Sequence, residues 1–221
     1  MTNSKKVYLI IGLGRFGISF SEKLVELGQT VIGVDNQIAP VTEMAEKIDV
    51  AAQIDVEDEA SLIKIGAKEV DVAVVAIGES IEASILCTSI LVDIGVPLVI
   101  ARASNAVHAK VLNRVGAHSV IMPERQMGQH MAENMVYPWY DSFTKIDGGD
   151  FVLGKITPTK DMIGKTIADL RFMQRYDAVA VLLEHNGKQL VPLPNRPFET
   201  GDKLWVLGHK DSMNKLVSKE Q

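Results

Sequence analysis

Apolar residues in the first two thirds of the chain fall into short runs: "VYLII" (7–11), "TVIGV" (30–34), "VAAQI" (50–54), "VDVAVVAI" (70–77), "PLVIA" (97–101) and "SVIM" (119–122). Stretches with helical spacing separate them, and four of these end alike, on Leu27-Gly28, Ile65-Gly66, Ile94-Gly95 and Val115-Gly116. A glycine there can adopt the left-handed conformation that closes a helix just before the next strand. Strands alternating with helices predict an α/β fold, a doubly wound parallel sheet with right-handed crossovers. The run 70–77 is apolar almost throughout and reads as a central strand covered on both faces.

Beyond residue 122 the pattern changes. "ERQMGQHMAENM" places Met127, Met131 and Met135 four residues apart beside Gly128 and Ala132. Such an adaptable stripe suits packing on its own sheet or on another subunit, and both remain open. "VYPWYDSF" then interrupts the helix at Pro138 and supplies aromatic anchors such as Tyr140, and "IDGGD" marks a boundary at Gly148 and Gly149. The remainder reads as a strand ("FVLGKITP"), one short helix ("IGKTIADLRFMQRY") with Ile163, Ile167 and Leu170 on one face, a hairpin, a strand ("KLWVLGH") and a helix ("KDSMNKLV"). Asn186-Gly187 is the hairpin's turn signal. Residues 1–136 are thus expected to form the first domain, 137–149 a crossover or hinge segment, and 150–221 a smaller α+β domain. The small core of the latter is expected to be completed by pairing with a second copy.

Ligands of a doubly wound sheet sit beyond the carboxyl ends of its strands. The first strand runs into Gly12-Leu13-Gly14-Arg15-Phe16-Gly17, a G-x-G-x-x-G opening a helix. Gly12 permits the tight turn, Gly14 lets backbone approach a phosphate, and Gly17 lets the helix pack closely. Asp35 follows the second strand about twenty residues later, where a carboxylate accepts ribose hydroxyls and repels a 2′-phosphate. Together these predict a Rossmann-like adenine-nucleotide site. Its candidate lining is Gly12, Gly14, Arg15, Phe16, Gly17, Asp35, Asn36, Asp55, Val56, Ala76, Ile77, Gly78 and Arg102, the residues that follow successive strands. Asp55 either reads the adenine edge or caps the helix starting near Glu57. Ser80 and Ser104 or Asn105 are candidate caps of the next two helices. Arg15 and Arg102 suit a polyphosphate tail. Glu124, after the sixth strand, has the wrong sign for phosphate and suits gripping an arginine or holding a divalent cation.

The rest of the composition narrows the function. The 221 residues carry a formal net charge of −5, against a dedicated nucleic-acid binder. Five scattered histidines show no metal-ligand spacing, and Cys87, alone in "SILCTSILV", reads as buried filler. "MTNSKK" leads directly into the first strand, so no signal peptide is expected, and no apolar run nears the ~20 residues of a membrane span. A cytoplasmic location is expected. No Tyr-x-x-x-Lys pair, serine elbow or G-x-x-x-x-G-K-[S/T] loop occurs, so the nucleotide is expected to be held and not consumed; the chain is not expected to be an enzyme. Asp35 suits the ribose of ATP or of NAD. An NAD(H)-binding redox sensor, a small NAD-linked oxidoreductase and a ligand-free scaffold remain the alternatives.

"IGLGRFG", "VD", "VVAIG" with the "IEAS" helix, "ARA", "MPE" and the late "GDKLWVLG" resemble the cytoplasmic regulatory subunits of bacterial Ktr/Trk-type potassium-uptake systems, which join an RCK N-terminal to an RCK C-terminal domain. The single G-x-G-x-x-G is closer to the single-RCK Ktr branch. The resemblance implies ATP or ADP in the Rossmann pocket, and homodimers assembled into an octameric ring beneath a membrane potassium-transporter subunit. The protein would then attach peripherally to the inner face of the membrane. It further implies that Arg15 reaches the γ-phosphate bound by a neighbouring protomer. Glu124 would help hold Mg2+ or another divalent cation near the phosphates at the dimer interface. Asp35 would take the ribose, Arg102 a place near phosphate and Asp55 the adenine side. "GES" stands where close relatives have "GAN", so Ser80 is not expected to copy an asparagine's contacts. Some members bind cyclic di-AMP between paired C-terminal domains; no residue-by-residue match carries that site over.

Overall fold

The computed structural model describes residues 5–137, 139 and 142–217. The expected break at Pro138 and the anchor Tyr140 lie outside the described residues.

Six parallel strands form the first sheet: β1 (Val7–Ile11), β2 (Thr30–Asp35), β3 (Val50–Gln53), β4 (Val72–Val75), β5 (Val99–Arg102) and β6 (Ser119–Ile121). Their order is β3-β2-β1-β4-β5-β6, with α1 (Arg15–Glu26), α2 (Ile38–Met44), α3 (Glu59–Lys64), α4 (Ile81–Asp93) and α5 (Ala106–Arg114) in the crossovers. The predicted doubly wound sheet is therefore present, and it is Rossmann-like. Alternation along each strand fills both faces. Leu9, Ile11, Ala73 and Val75 join Leu62, Leu91 and Leu112 on one side, while Ile10, Val72 and Val74 join Leu24, Val41 and Met44 on the other. All four predicted helix ends close as expected. Gly28, Gly66, Gly95 and Gly116 take positive φ, and the next amide donates back to the carbonyl of Leu24, Leu62, Leu91 or Leu112.

Helix α6 (Pro123–Val136) buries none of its residues, and the side of it bearing Met127, Met131 and Met135 is 57%, 57% and 83% exposed. The methionine stripe is therefore exposed. Two compact units divide after Gln126, within this helix.

The second unit holds an antiparallel sheet of β7 (Phe143–Lys145), β8 (Phe151–Ile156), β9 (Ala178–His185), β10 (Lys188–Leu190) and β11 (Lys203–His209), ordered β10-β9-β11-β8-β7. Its helices are α7 (Ile167–Leu170), α8 (Phe172–Tyr176) and α9 (Lys210–Val217). The Asn186-Gly187 hairpin turn is present, with both residues at positive φ as a two-residue turn requires. Two expectations need correction. The single helix expected over 163–176 is two short ones. A capping box between Thr166 and Asp169 starts α7 only at Ile167, and Arg171 at φ 45° breaks the chain. A straight helix would point residues 170 and 172 to opposite sides; the break lets Leu170, Phe172 and Tyr176 enter one core. Strand β7 has no counterpart among the expected elements, because only one of its three residues, Phe143, is buried. That ring lies over Gly154 of β8, where a Cβ would overlap it.

A fully buried carboxylate ties this unit's loop to its hairpin. Asp202 accepts from Arg196 Nη1 at 2.8 Å and the Glu199 N–H at 3.0 Å, and pairs with His185 Nδ1 at 2.7 Å. Burial alone would raise its pKa. Arg196, the Glu199 amide and His185 outweigh that and hold it below the ordinary 3.8. Because the folded value is depressed, the stabilisation is present above pH 3.8 and lost as pH falls below it. Asp202→Asn is expected to cost about 3–5 kcal/mol at pH 7 and to flatten the loss of stability as pH falls below 3.8, measured by urea unfolding; parallel pH profiles for the two proteins would contradict this.

Steric limits around the first glycine turn make a second expectation. A Cβ on Gly17 would overlap the Gly12 carbonyl oxygen, whereas one on Gly14 meets nothing within 4 Å. Gly17→Ala is expected to destabilise the chain by about 2–3 kcal/mol, and Gly14→Ala to leave the thermal midpoint unchanged. Equal midpoints for the two variants would be incompatible with this packing.

Candidate nucleotide site

All six strands point the same way, so their carboxyl ends share one edge. The order reverses between β1 and β4, where α1 and α4 leave toward opposite faces and open a crevice. Gly12 sits at that point with φ 96°, donating to Val34 O at 2.8 Å. A Cβ there would lie 3.2 Å from the backbone of Ala76 and Ile77. The turn after β1 thus rests directly on the backbone leaving β4.

Helix α1 begins in this crevice. Gly14 is its N-cap and offers no side-chain hydrogen bond, and the first turn holds no acidic residue. Helix α2 likewise starts without a side-chain cap, at Gln37, but the next three helices differ. Asp58 caps α3, Ser80 caps α4 as expected, and Asn105 caps α5 through the N–H groups of Val107 and His108. Open amides at a helix start carry partial positive charge and favour an anion. Arg15, exposed at the first helical position and in no ion pair among the described residues, adds a full positive charge to that end. Phe16, half-buried behind it, stacks on Phe20.

Asp35 fastens the same turn from the β2 side. Its Oδ2 accepts the Leu13 N–H at 2.7 Å and its Oδ1 the Gln37 N–H at 2.9 Å. Each oxygen retains a free acceptor site, so ribose hydroxyls remain compatible with it. Beside it, Asn36, Gln53, Ile54, Asp55 and Glu57 line an open cavity of about 520 Å³. Asp55 does not cap a helix. Its Oδ1 accepts the Glu57 N–H at 2.9 Å within a turn, and α3 starts later, at Glu59. Asp58 caps it, held below the usual carboxylate range by the Ser61 hydroxyl and amide. Val56 and Ala76 are buried in the two cores and Ile77 packs against one, so these three offer backbone rather than side chain to the crevice. Gln53 and Glu57 were not singled out from the sequence, although Gln53 ends β3 on the ligand-bearing edge.

Arg102 ends β5 and crosses to the β4 turn. Its guanidinium occupies the space where a Gly78 side chain would stand, so the close approach that Gly78 permits is taken by this arginine. Nη1 donates to Ala76 O at 3.4 Å, Nη2 pairs with Glu124 Oε1, and Nε is buried with no partner among the described residues. The arginine is 19% exposed and the glutamate 64%. The Arg102 hydrogen bond is the main cause that holds Glu124 below the ordinary carboxylate range. Of the two roles open to Glu124, gripping an arginine is the one seen. Among the described residues no group of three His, Cys, Asp or Glu could hold a metal ion. A divalent cation at Glu124 would therefore take its remaining ligands from water and phosphate oxygens.

The other candidates are structural. Burial pushes the Cys87 thiol up to about 12, which leaves it unreactive. His118 lies at the opposite edge of the sheet, where Nδ1 accepts the Val99 N–H at 3.0 Å. No described helix is long and apolar enough to cross a membrane.

Residues 8–123 match the TrkA-N domain family and residues 155–219 the TrkA-C domain family. The chain is 34% identical to the Ktr system potassium uptake protein C of Bacillus subtilis, over 92% of each chain. It is 32% identical to the Ktr system potassium uptake protein A of Vibrio alginolyticus, over 99% of this chain and 100% of that protein. Among solved structures, the GsuK RCK domain shares the fold with a TM-score of 0.59 at 17% identity, covering 99% of this chain and 47% of that one. Two domain families matched in order along one chain, and relatives matched nearly end to end, place it: the chain belongs to the TrkA-N/TrkA-C family of Ktr/Trk-type potassium-uptake regulatory subunits, whose domains regulate and do not catalyse.

Proposed function

We propose that this regulatory subunit senses ATP and ADP at the carboxyl edge of its parallel sheet and uses the difference to gate a membrane potassium transporter. The observation that carries the reading is the start of α1, where no side chain caps the helix and Arg15, in no ion pair among the described residues, concentrates positive charge. Asp35 would orient the ribose, and the cavity beside Asn36, Gln53 and Asp55 would take the adenine. The amides opening α1 would hold the phosphates nearest the ribose, a diphosphate's worth of charge. Arg15 would serve a third phosphate beyond their reach, from across an interface between two copies of the chain. Its exposure supports this role, since a side chain turned toward solvent is free to reach a neighbour. Glu124 would join Mg2+ or another divalent cation to the same phosphate tail. The copies would pair as homodimers and close into an octameric ring held at the inner face of the membrane by the transporter.

A ligand can bias the ring only by the difference in its affinity for two arrangements. Arg15 supplies that difference if it touches the longer nucleotide alone. NAD(H) is the second reading, favoured by Asp35, whose geometry suits either ribose, and one structure of the GsuK channel is bound to NAD while another is bound to ADP. A charge-assisted hydrogen bond contributes about 1.5–3 kcal/mol. Arg15→Ala is therefore expected to bind ADP as the wild type does and to lose roughly tenfold or more of its preference for ATP, read by calorimetry. Unchanged ATP-over-ADP selectivity would refute the assignment.

A further inference from the structure

The pairing of Arg102 with Glu124 bears on how this pocket is loaded. The two partners are unequally held. Arg102 is fixed on three sides: it lies against Gly78, it donates to Ala76 O, and its Nε is buried. Glu124 stands on the solvent side as the second residue of α6, on a helix that buries none of its side chains. An exchange of partners would therefore move the glutamate and leave the arginine in place.

Building on the nucleotide reading of the crevice, we infer that Glu124 is an internal stand-in for phosphate on Arg102, so that a polyphosphate tail must displace it and, in doing so, release the first turn of α6. The carboxylate and a phosphate oxygen compete for the same donor, Nη2, and the displaced carboxylate is left beside the incoming negative charge. A metal-free tail is penalised twice, by losing a share of Arg102 and by repulsion from Glu124. A tail carrying a divalent cation gives the displaced carboxylate a new partner. Glu124 thus selects cation-loaded nucleotide over the bare one, and Arg102 is the group through which it does so. The pair is partly exposed, a setting in which ion pairs are weak enough to be exchanged by a ligand.

The register makes the release local. Arg102 pairs with Ile121 across β5 and β6, and the Ala103 N–H donates to Ile121 O, so the strands under the pair stay joined when it opens. Only residues 123–126, opening α6, lose a tether.

Calorimetry of the full chain with ATP in EDTA, then with ATP and Mg2+, tests the exchange. Glu124→Gln is expected to bind metal-free ATP about three- to tenfold more tightly than wild type and to lose most of the Mg2+ enhancement. Arg102→Gln is expected to bind more weakly, and adding Glu124→Gln to it should bring no further gain from relieved competition. Hydrogen exchange supplies the second readout. Metal-free ATP should speed exchange over residues 123–130 in the wild type and leave it unchanged in Glu124→Gln, where it is already fast. Metal-free binding to Glu124→Gln that is equal to or weaker than wild type would overturn the exchange while leaving the nucleotide pocket standing. No ATP binding by any of these proteins, under either condition, would overturn both.

Discussion

Everything at the candidate site depends on one close approach of backbone to backbone. The turn after β1 lies on the backbone leaving β4, so near that a Cβ on Gly12, already at φ 96°, would crowd it at 3.2 Å, and one on Gly17 would strike the Gly12 carbonyl. Asp35 closes the third side by taking the Leu13 amide. A turn held on three sides has no freedom to choose where α1 begins, and the uncapped start of that helix is fixed at the crevice between β1 and β4. The electrostatics follow from this placement. An open helix start and an exposed arginine are unfavourable neighbours until an anion joins them.

Charge is distributed unevenly around that point. The side nearest β2 and β3 presents Asp35, Asp55 and Glu57, acceptors that suit hydroxyls and an exocyclic amino group. The side nearest β1 and β5 presents Arg15 and Arg102, which suit phosphate. An adenine nucleotide has this polarity, neutral donors at one end and anionic oxygens at the other. Glu124 is the exception on the basic side, and its engagement with Arg102 explains how a carboxylate is tolerated there. The second unit is organised differently. There a carboxylate is fully buried and paired with Arg196, His185 and a backbone amide.

Much of this is legible from residues alone where the signal is local. The six strands, the four glycine-closed helix ends, the Ser80 cap and the Asn186-Gly187 hairpin each depend on a few consecutive residues, and each is present. The failures share a cause. Strand β7 exists because Phe143 covers Gly154, a contact across the sheet. The chain breaks at Arg171 because Leu170 and Phe172 must reach one core, a demand that helical periodicity within the segment opposes. Capping of α3 falls to Asp58 rather than Asp55 because Asp55 is already engaged in its own turn. Gly78 reads as space for a ligand; that Arg102 fills it depends on β4 and β5 being neighbours. Sequence shows which residues reach the edge, and strand order decides which of them meet.

The central claim is that this edge holds an adenosine phosphate as a signal. The most direct measurement is a calorimetric titration of the purified wild-type chain with ATP, ADP, NAD and NADH in turn. The account predicts saturable binding at one site per chain, with ATP and ADP both tighter than NADH. Absence of binding by every adenine nucleotide up to millimolar concentration, or NADH as the tightest ligand, would contradict it.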